Sequence, residues 1–388
     1  LLCVFLGLGW LVLVQWFVFS PNPFGVFVDV PAVWRACLLL VAGLTWLGLT
    51  AANTQMANTS SLHSFYRARL SRAYLAAGNK KRHMDQPDLP RTDVTKVMKG
   101  DDKHLGNYAP ELRGGPIHLV NACLNPTRDY RSGLYNADRK GAAVTVSWRG
   151  FEVGPDKFTP LDKDLDVGTL GRWVAVSGAA ASPGAGAYTS RGLALVLYLL
   201  GVRLGQWIRS PVATPDLEAL SIFGWRWLPK PKMLFSEALA AFSGMERPWW
   251  YVSDGGHFEN TGVYALLKRE LDFIILSDAS CDADYEFGDL ENLVRKARID
   301  FGAEIDFYSH AEAARVLTRL FTQERRDVTV LSPEDMQDNH SCRGVLLARI
   351  RYRARPGPGG TLVRPEATLL VVKPNMHDAL DVDLLAYK

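Results

Sequence analysis

Tyr251-Val-Ser-Asp-Gly-Gly-His-Phe-Glu-Asn-Thr-Gly-Val-Tyr-Ala-Leu-Leu-Lys-Arg269 reads as a strand, an acidic tight turn and a helix. Trp250–Val252 is aromatic and β-branched, as a strand prefers. Asp254-Gly255-Gly256 breaks the run, and Asn260 stands where a helix over about 260–270 would take its cap. A carboxylate at a strand end can point into a cleft, and glycines behind it let the backbone pass close to a neighbour. An ordinary Asp-Gly turn has the same spelling, so the spacing alone leaves both readings open.

Outward from this stretch, strands and helices alternate. Downstream, Phe273-Ile-Ile-Leu276 is an apolar strand, and helices follow over about 289–299 and 311–323. Strand-like runs at Val345–Arg353 and Thr368–Lys373 flank the turn Pro356-Gly-Pro-Gly-Gly360. Upstream, Ile117–Val120, Ala142–Ser147 and Arg172–Val176 read as strands. Leu193–Ile208 reads as a core or interfacial helix, because its uncharged part is too short to span a bilayer. The pattern predicts a layered α/β domain over 113–388.

The N-terminal 52 residues differ in kind. Residues 1–19 carry no charge, and residues 33–52 carry only Arg35, near enough to one end to snorkel. The expectation is a transmembrane hairpin, with Trp10, Trp16 and Trp34 suited to the interface. Arg67, Arg69, Arg72, Lys80, Lys81 and Arg82 lie in the connecting region 53–112, whereas the loop between the spans carries only Asp29. The positive-inside rule then places the domain on the cytoplasmic side of an integral membrane protein.

Composition sets outer limits. With 48% hydrophobic and 22% charged residues the chain folds rather than remaining disordered. A net charge of +3 implies no nucleic-acid partner. Five scattered cysteines suggest neither a zinc site nor a disulfide framework, and no metal or other cofactor is expected. Asp282-Ala-Asp284-Tyr-Glu286 has carboxylates spaced as in a calcium loop, but Phe287 and Leu293 stand where such a loop needs Gly and Glu.

The passage around Asp254 resembles the aspartate motif of patatin-like phospholipases and the related cytosolic phospholipase A2 and lysophospholipase group. Val174-Ala-Val-Ser-Gly-Ala-Ala-Ala-Ser-Pro183 is similar to that family's strand ending in Ser-Ala-Ala-Pro. Arg113–Asn121, Ser277–Asp282 and Arg295–Gly302 extend the likeness to large bacterial membrane proteins with a patatin-like domain, over about two-thirds of the chain. The resemblance implies a metal-independent lipid acyl hydrolase with membrane lipids as substrate. It implies a Ser–Asp dyad in which Asp254 is the general base. Gly255 and Gly256 then form the active-site turn, with Asn260 and Asp278 as support; His257 reads as a polar loop residue, and His118 and His310 stand isolated.

The serine of that dyad sits on a Gly-x-Ser-x-Gly elbow in the family, and no serine here has glycine at both positions. Ser182 comes near, but Pro183 cannot donate an oxyanion-hole N–H. Ser177, before Gly178, is the alternative nucleophile. The leading expectation is that the 388 residues are the C-terminal part of a longer protein, with the elbow and its Gly-rich oxyanion loop upstream. Arg113-Gly-Gly-Pro116 is then only a turn. A third reading is a catalytically inactive, membrane-bound scaffold or binding module.

Overall fold

A computed structural model describes residues 2–21, 23–25, 29–83, 97–128, 139–161, 167–211, 228–245, 247–282, 284–309, 344–356 and 362–374, with isolated positions 311, 312, 315, 333 and 336. It is a mixed α/β structure of two compact units, 1–258 and 259–388; the boundary falls within the stretch read from sequence as one domain.

The first unit opens with α1 (Leu2–Phe19) and α2 (Ala32–Thr50), which pack together. At 19 residues α2 spans about 28 Å and is long and apolar enough to cross a membrane. Its burial pattern is inverted relative to a soluble helix. Trp34, Leu40, Trp46 and Leu49 are exposed while Arg35 is buried. Arg35 does not reach for solvent: its Nη1 donates to the carbonyls of Phe17 at 3.2 Å and Ser20 at 2.6 Å. The cation thus meets the negative end of α1.

Beyond α2 come α3 (Thr54–Thr59), α4 (His63–Leu70) and the short α5 (Lys80–His83). The main sheet follows, in spatial order β4-β3-β2-β1-β6-β5, with every pair antiparallel. Its strands are β1 (Val120–Leu124), β2 (Ala142–Ser147), β3 (Gly150–Val153), β4 (Lys157–Pro160), β5 (Gln206–Arg209) and β6 (Trp249–Asp254). Val144, Val146, Phe151, Trp250 and Val252 fill one core with Trp173 of α6 (Leu170–Ser177). The unit also contains α7 (Arg191–Leu200) and α8 (Pro229–Ala238). Arg203, Glu237 and Trp207 form a buried polar cluster there. Arg203 donates to Glu237 at 2.9 Å and to the Ser60 carbonyl at 2.7 Å, and Trp207 Nε1 donates to Glu237 at 2.9 Å.

In the second unit, α9 (Val263–Leu267) precedes β7 (Phe273–Ser277) and α10 (Gly288–Lys296), followed by β8 (Glu304–Phe307) and β9 (Val345–Arg351). A two-residue ribbon of β10 (Arg355–Pro356) and β11 (Leu362–Val363) leads to β12 (Glu366–Val372). The sheet order is β7-β12-β9-β8, with β7 parallel to β12 and the other pairs antiparallel. Ile274, Leu276, Leu293, Ile350 and Leu369 meet in its core. Asp289 and Glu291 open α10 and Arg295 and Lys296 close it, matching its dipole.

Several local expectations change. Arg172–Val176 is helical: Thr169 caps α6, its Oγ1 accepting from the Arg172 N–H at 3.3 Å. Leu170, Trp173 and Val176 recur at a spacing of three and face the core, so tertiary packing overrides the β-branched run. The helix drawn over 193–208 is two elements. Gly201 takes the left-handed conformation at φ 69° and stops α7, and Gln206–Arg209 becomes β5. The first strand starts at Val120 rather than Ile117. The helix expected over 260–270 is confined to Val263–Leu267, and that over 289–299 is α helical to Lys296, then a π turn through Phe301. Most of 311–323 and residues 357–360 lie outside the described residues, as does His310.

Candidate active site

Asp254 is the last residue of β6, opposite Ala122 of β1. The chain turns there into one 3₁₀ turn, Gly255–His257, and Asp254 caps it: Oδ1 accepts the Gly256 N–H at 2.8 Å. Among the described residues the other carboxylate oxygen accepts no hydrogen bond, so a lone pair remains to take a proton. Gly255 lies against β1 so closely that a Cβ would come within 2.9 Å of the Asn121 carbonyl oxygen. A side chain there would push the turn off the sheet.

Burial raises the Asp254 carboxyl above its ordinary pKa, with the Gly256 N–H pulling the other way. Tyr66 of α4 shares this environment. Its hydroxyl pKa is raised by burial and then by the Asp254 charge, and it donates to the Gly178 carbonyl at 2.8 Å.

The turn is anchored from behind by a polar chain. Asn125 Nδ2 donates to Ser253 Oγ at 2.9 Å, and Ser253 Oγ lies 2.8 Å from His257 Nδ1. His257 also hydrogen-bonds the Ala180 backbone, and burial lowers its pKa to about 4, so it is neutral near pH 7. The turn after β6 packs on α6 and reaches the segment after it through His257 and Ala180, while Tyr66 ties Gly178 of that segment to α4. The two passages that carried the sequence resemblance, Ser177–Ala180 and Ser253–His257, converge.

No protein-family model, curated protein or solved structure matches this chain.

The candidate nucleophiles fare differently. Ser177 ends α6, and the next amide, Gly178 N–H, is already given to the Val174 carbonyl at 3.3 Å. A helix C-terminus presents carbonyls, which repel an oxyanion, whereas the elbow of a serine hydrolase places its serine at a helix N-terminus. Ser182 is buried with its Oγ 3.1 Å from the Tyr251 hydroxyl. Ser253 has a neutral imidazole beside it but is fully buried in the sheet.

The other site candidates lie in the second unit. Asn260 does not cap α9. It is exposed and donates to Asp289 Oδ2 at 2.8 Å, while Glu259 takes the Thr261 and Tyr264 N–H groups at 2.6 and 3.2 Å. Asp278 follows β7 and is buried against Lys373 Nζ at 3.0 Å, with Asp282 3.2 Å from the same ammonium. Burial opposes ionisation of Asp278, but hydrogen bonds from Ser280 and Lys373 outweigh it and hold the carboxyl below its usual range. That is the environment of a permanent ion pair, not of a proton acceptor.

Among the described residues no group of three His, Cys, Asp or Glu side chains is placed to hold a metal ion. Tyr66, Asn125 and the Ser253–His257 pairing escaped the sequence reading. Asn125 and Tyr66 come from distant segments, so no local pattern announces them; only the i, i+4 spacing of Ser253 and His257 was visible.

Proposed function

We propose that this chain carries the general base of a patatin-like Ser–Asp dyad and works on lipid acyl esters at a membrane, with Asp254 as the base. The observation that carries the reading is the convergence of the Asp254 turn with the Ser177–Ala180 segment around a half-buried carboxylate that keeps one oxygen free. A general base needs a pKa closer to neutrality than an exposed aspartate has. The burial of Asp254 acts in that direction. The apolar α2, with its inverted burial, supports a protein whose substrate arrives by way of the bilayer, and the basic residues after it favour the cytoplasmic side. The nucleophile belongs to a Gly-x-Ser-x-Gly elbow, which none of the 388 residues forms, so the elbow is supplied by sequence outside them.

Labelling with a fluorophosphonate probe tests this division of labour. The 388-residue chain is expected to remain unlabelled. Labelling that disappears in Ser177→Ala would move the nucleophile to the end of α6 and refute the missing elbow.

The pH dependence has a definite sign. Asp254 must be ionised to accept a proton, so kcat/KM of the intact protein is expected to fall as pH drops through the raised Asp254 pKa. The acid limb should therefore lie above the ordinary aspartate value of about 3.9. A limb at or below that value would show that the base is another group.

A further inference from the structure

A cavity of about 980 Å³ lies in the first unit, apart from the Asp254 turn. Its walls come from α3 and α4, the end of β4, the start of α6, and β5 with the residues after it. Among the described residues three arginines line it, Arg67, Arg172 and Arg209, and no aspartate or glutamate does. The volume is that of a site for a small organic ligand.

The arginines are placed differently. Arg172 is fixed at the floor, with Nε donating to Gln206 Oε1 at 2.7 Å and Nη2 to the Trp207 carbonyl at 3.3 Å. Arg209 is exposed on the edge strand β5. Arg67 is partly exposed, and its nearest acid, Asp102, stands 3.8 Å away. Asp102 is itself engaged by Thr169 Oγ1 at 2.6 Å and the Gly171 N–H at 2.8 Å, so it offsets Arg67 only in part.

His63 adds a second, independent sign of a polar site. It lines the cavity and is 1% exposed. Its Nδ1 is 2.5 Å from the Leu204 carbonyl, so Nδ1 carries the proton, and the buried Nε2 has no partner among the described residues. Burial, with Arg172 and Arg67 adding to it, lowers the imidazole pKa to about 4. An unprotonated nitrogen in a cavity lined by three guanidinium groups, two of them acting on it, suits a ligand that is anionic and also offers a hydroxyl.

Position decides the source of that anion. The cavity wall begins at Thr54, four residues past the end of the helix that is long and apolar enough to cross a membrane. A second apolar surface stands nearby: α7 packs on α1 and leaves Leu193, Val196 and Leu199 exposed. Guanidinium groups bind phosphate oxygens through paired, charge-assisted hydrogen bonds. We infer that the cavity binds the phosphate of an anionic phospholipid headgroup, gripped by Arg67 and Arg209 over Arg172, with His63 accepting from a headgroup hydroxyl. Such a site holds the unit against the bilayer whether or not Asp254 performs chemistry.

Native mass spectrometry of the detergent-solubilised chain tests this, with phosphatidylglycerol and phosphatidylcholine of identical acyl chains supplied together. The wild type is expected to retain phosphatidylglycerol about tenfold over phosphatidylcholine, and Arg67→Gln/Arg209→Gln to retain the two lipids about equally. Arg209→Gln alone, at an exposed strand edge, is expected to lose part of the preference and serves if the double variant fails to fold. Asp254→Asn is expected to keep the full preference, so loss of hydrolysis and loss of lipid binding are separable results. Equal retention of both lipids by the wild type, or an unchanged preference in the arginine variants, overturns the inference. Complete displacement of phosphatidylglycerol by inorganic phosphate would assign the cavity to a soluble anion and also overturns it.

Discussion

Asp254→Asn in the intact protein is expected to lower ester hydrolysis by about 10²–10⁴-fold, the usual range for removing a general base. Asparagine keeps an oxygen to accept the Gly256 N–H, so the 3₁₀ turn and its hold on β1 persist. What disappears is the oxygen that takes a proton. The stability change separates this role from a structural one. Because burial raises the folded-state pKa of Asp254, its ionised form costs the folded state free energy at neutral pH. Replacement by neutral Asn is therefore expected to leave the melting temperature unchanged or slightly higher while activity collapses. Hydrolysis of a short-chain aryl ester and of a micellar phospholipid, beside a thermal melt, makes the measurement. Undiminished activity removes Asp254 from the mechanism, and loss of activity together with unfolding would make it structural.

Lys373→Met is expected to have the opposite profile, a large loss of stability centred on the second unit. Lys373 is 3% exposed and serves two carboxylates, Asp278 and Asp282. Removing the cation leaves both acids without their counter-charge, which costs about 3–5 kcal/mol for a buried pair. The pH dependence follows from the depressed carboxyls. For both aspartates burial works against ionisation, and hydrogen bonds with the nearby ammonium prevail. The contribution of the ion cluster is fully present above the unfolded aspartate pKa of about 3.9 and is lost as pH falls through the lower folded values. The gap between wild type and Lys373→Met should thus be widest near pH 7 and narrow below about pH 4. Hydrogen exchange of the β7 and β12 amides reads the second unit directly. A gap independent of pH would mean that Lys373 acts by packing its stem rather than by its charge. Asp278, which the resemblance to patatin-like enzymes implies as support for the active site, makes its ion pair with Lys373 at 3.0 Å.

How much was legible in advance depended on whether the cause was local. The strand ending at Asp254 was readable because Asp-Gly-Gly interrupts an aromatic, β-branched run, and the structure places β6 there. The extent of α2 was readable because a bilayer-length run with a single charge has few other meanings. Arg172–Val176 was misread because local β-propensity and helical spacing conflict in five residues, and Thr169 together with the core decides between them. The break between α7 and β5 was signalled by Gly201, but the apolar run on both sides concealed it.

By itself, therefore, the sequence of this protein determined the elements whose signals are contiguous: the apolar helices, the Asp254 turn and the alternation of strands with helices. The tertiary structure decided that Ser177–Ala180 and Ser253–His257 meet, through the packing of α6 on the turn and through His257 with Ala180. It also decided that Asn260 bonds Asp289, and that Arg67, Arg172 and Arg209 share one cavity. The physical reason is range: hydrophobic spacing and turn chemistry act over a few residues, whereas hydrogen-bond partners and shared charge come from segments that only the folded core brings together.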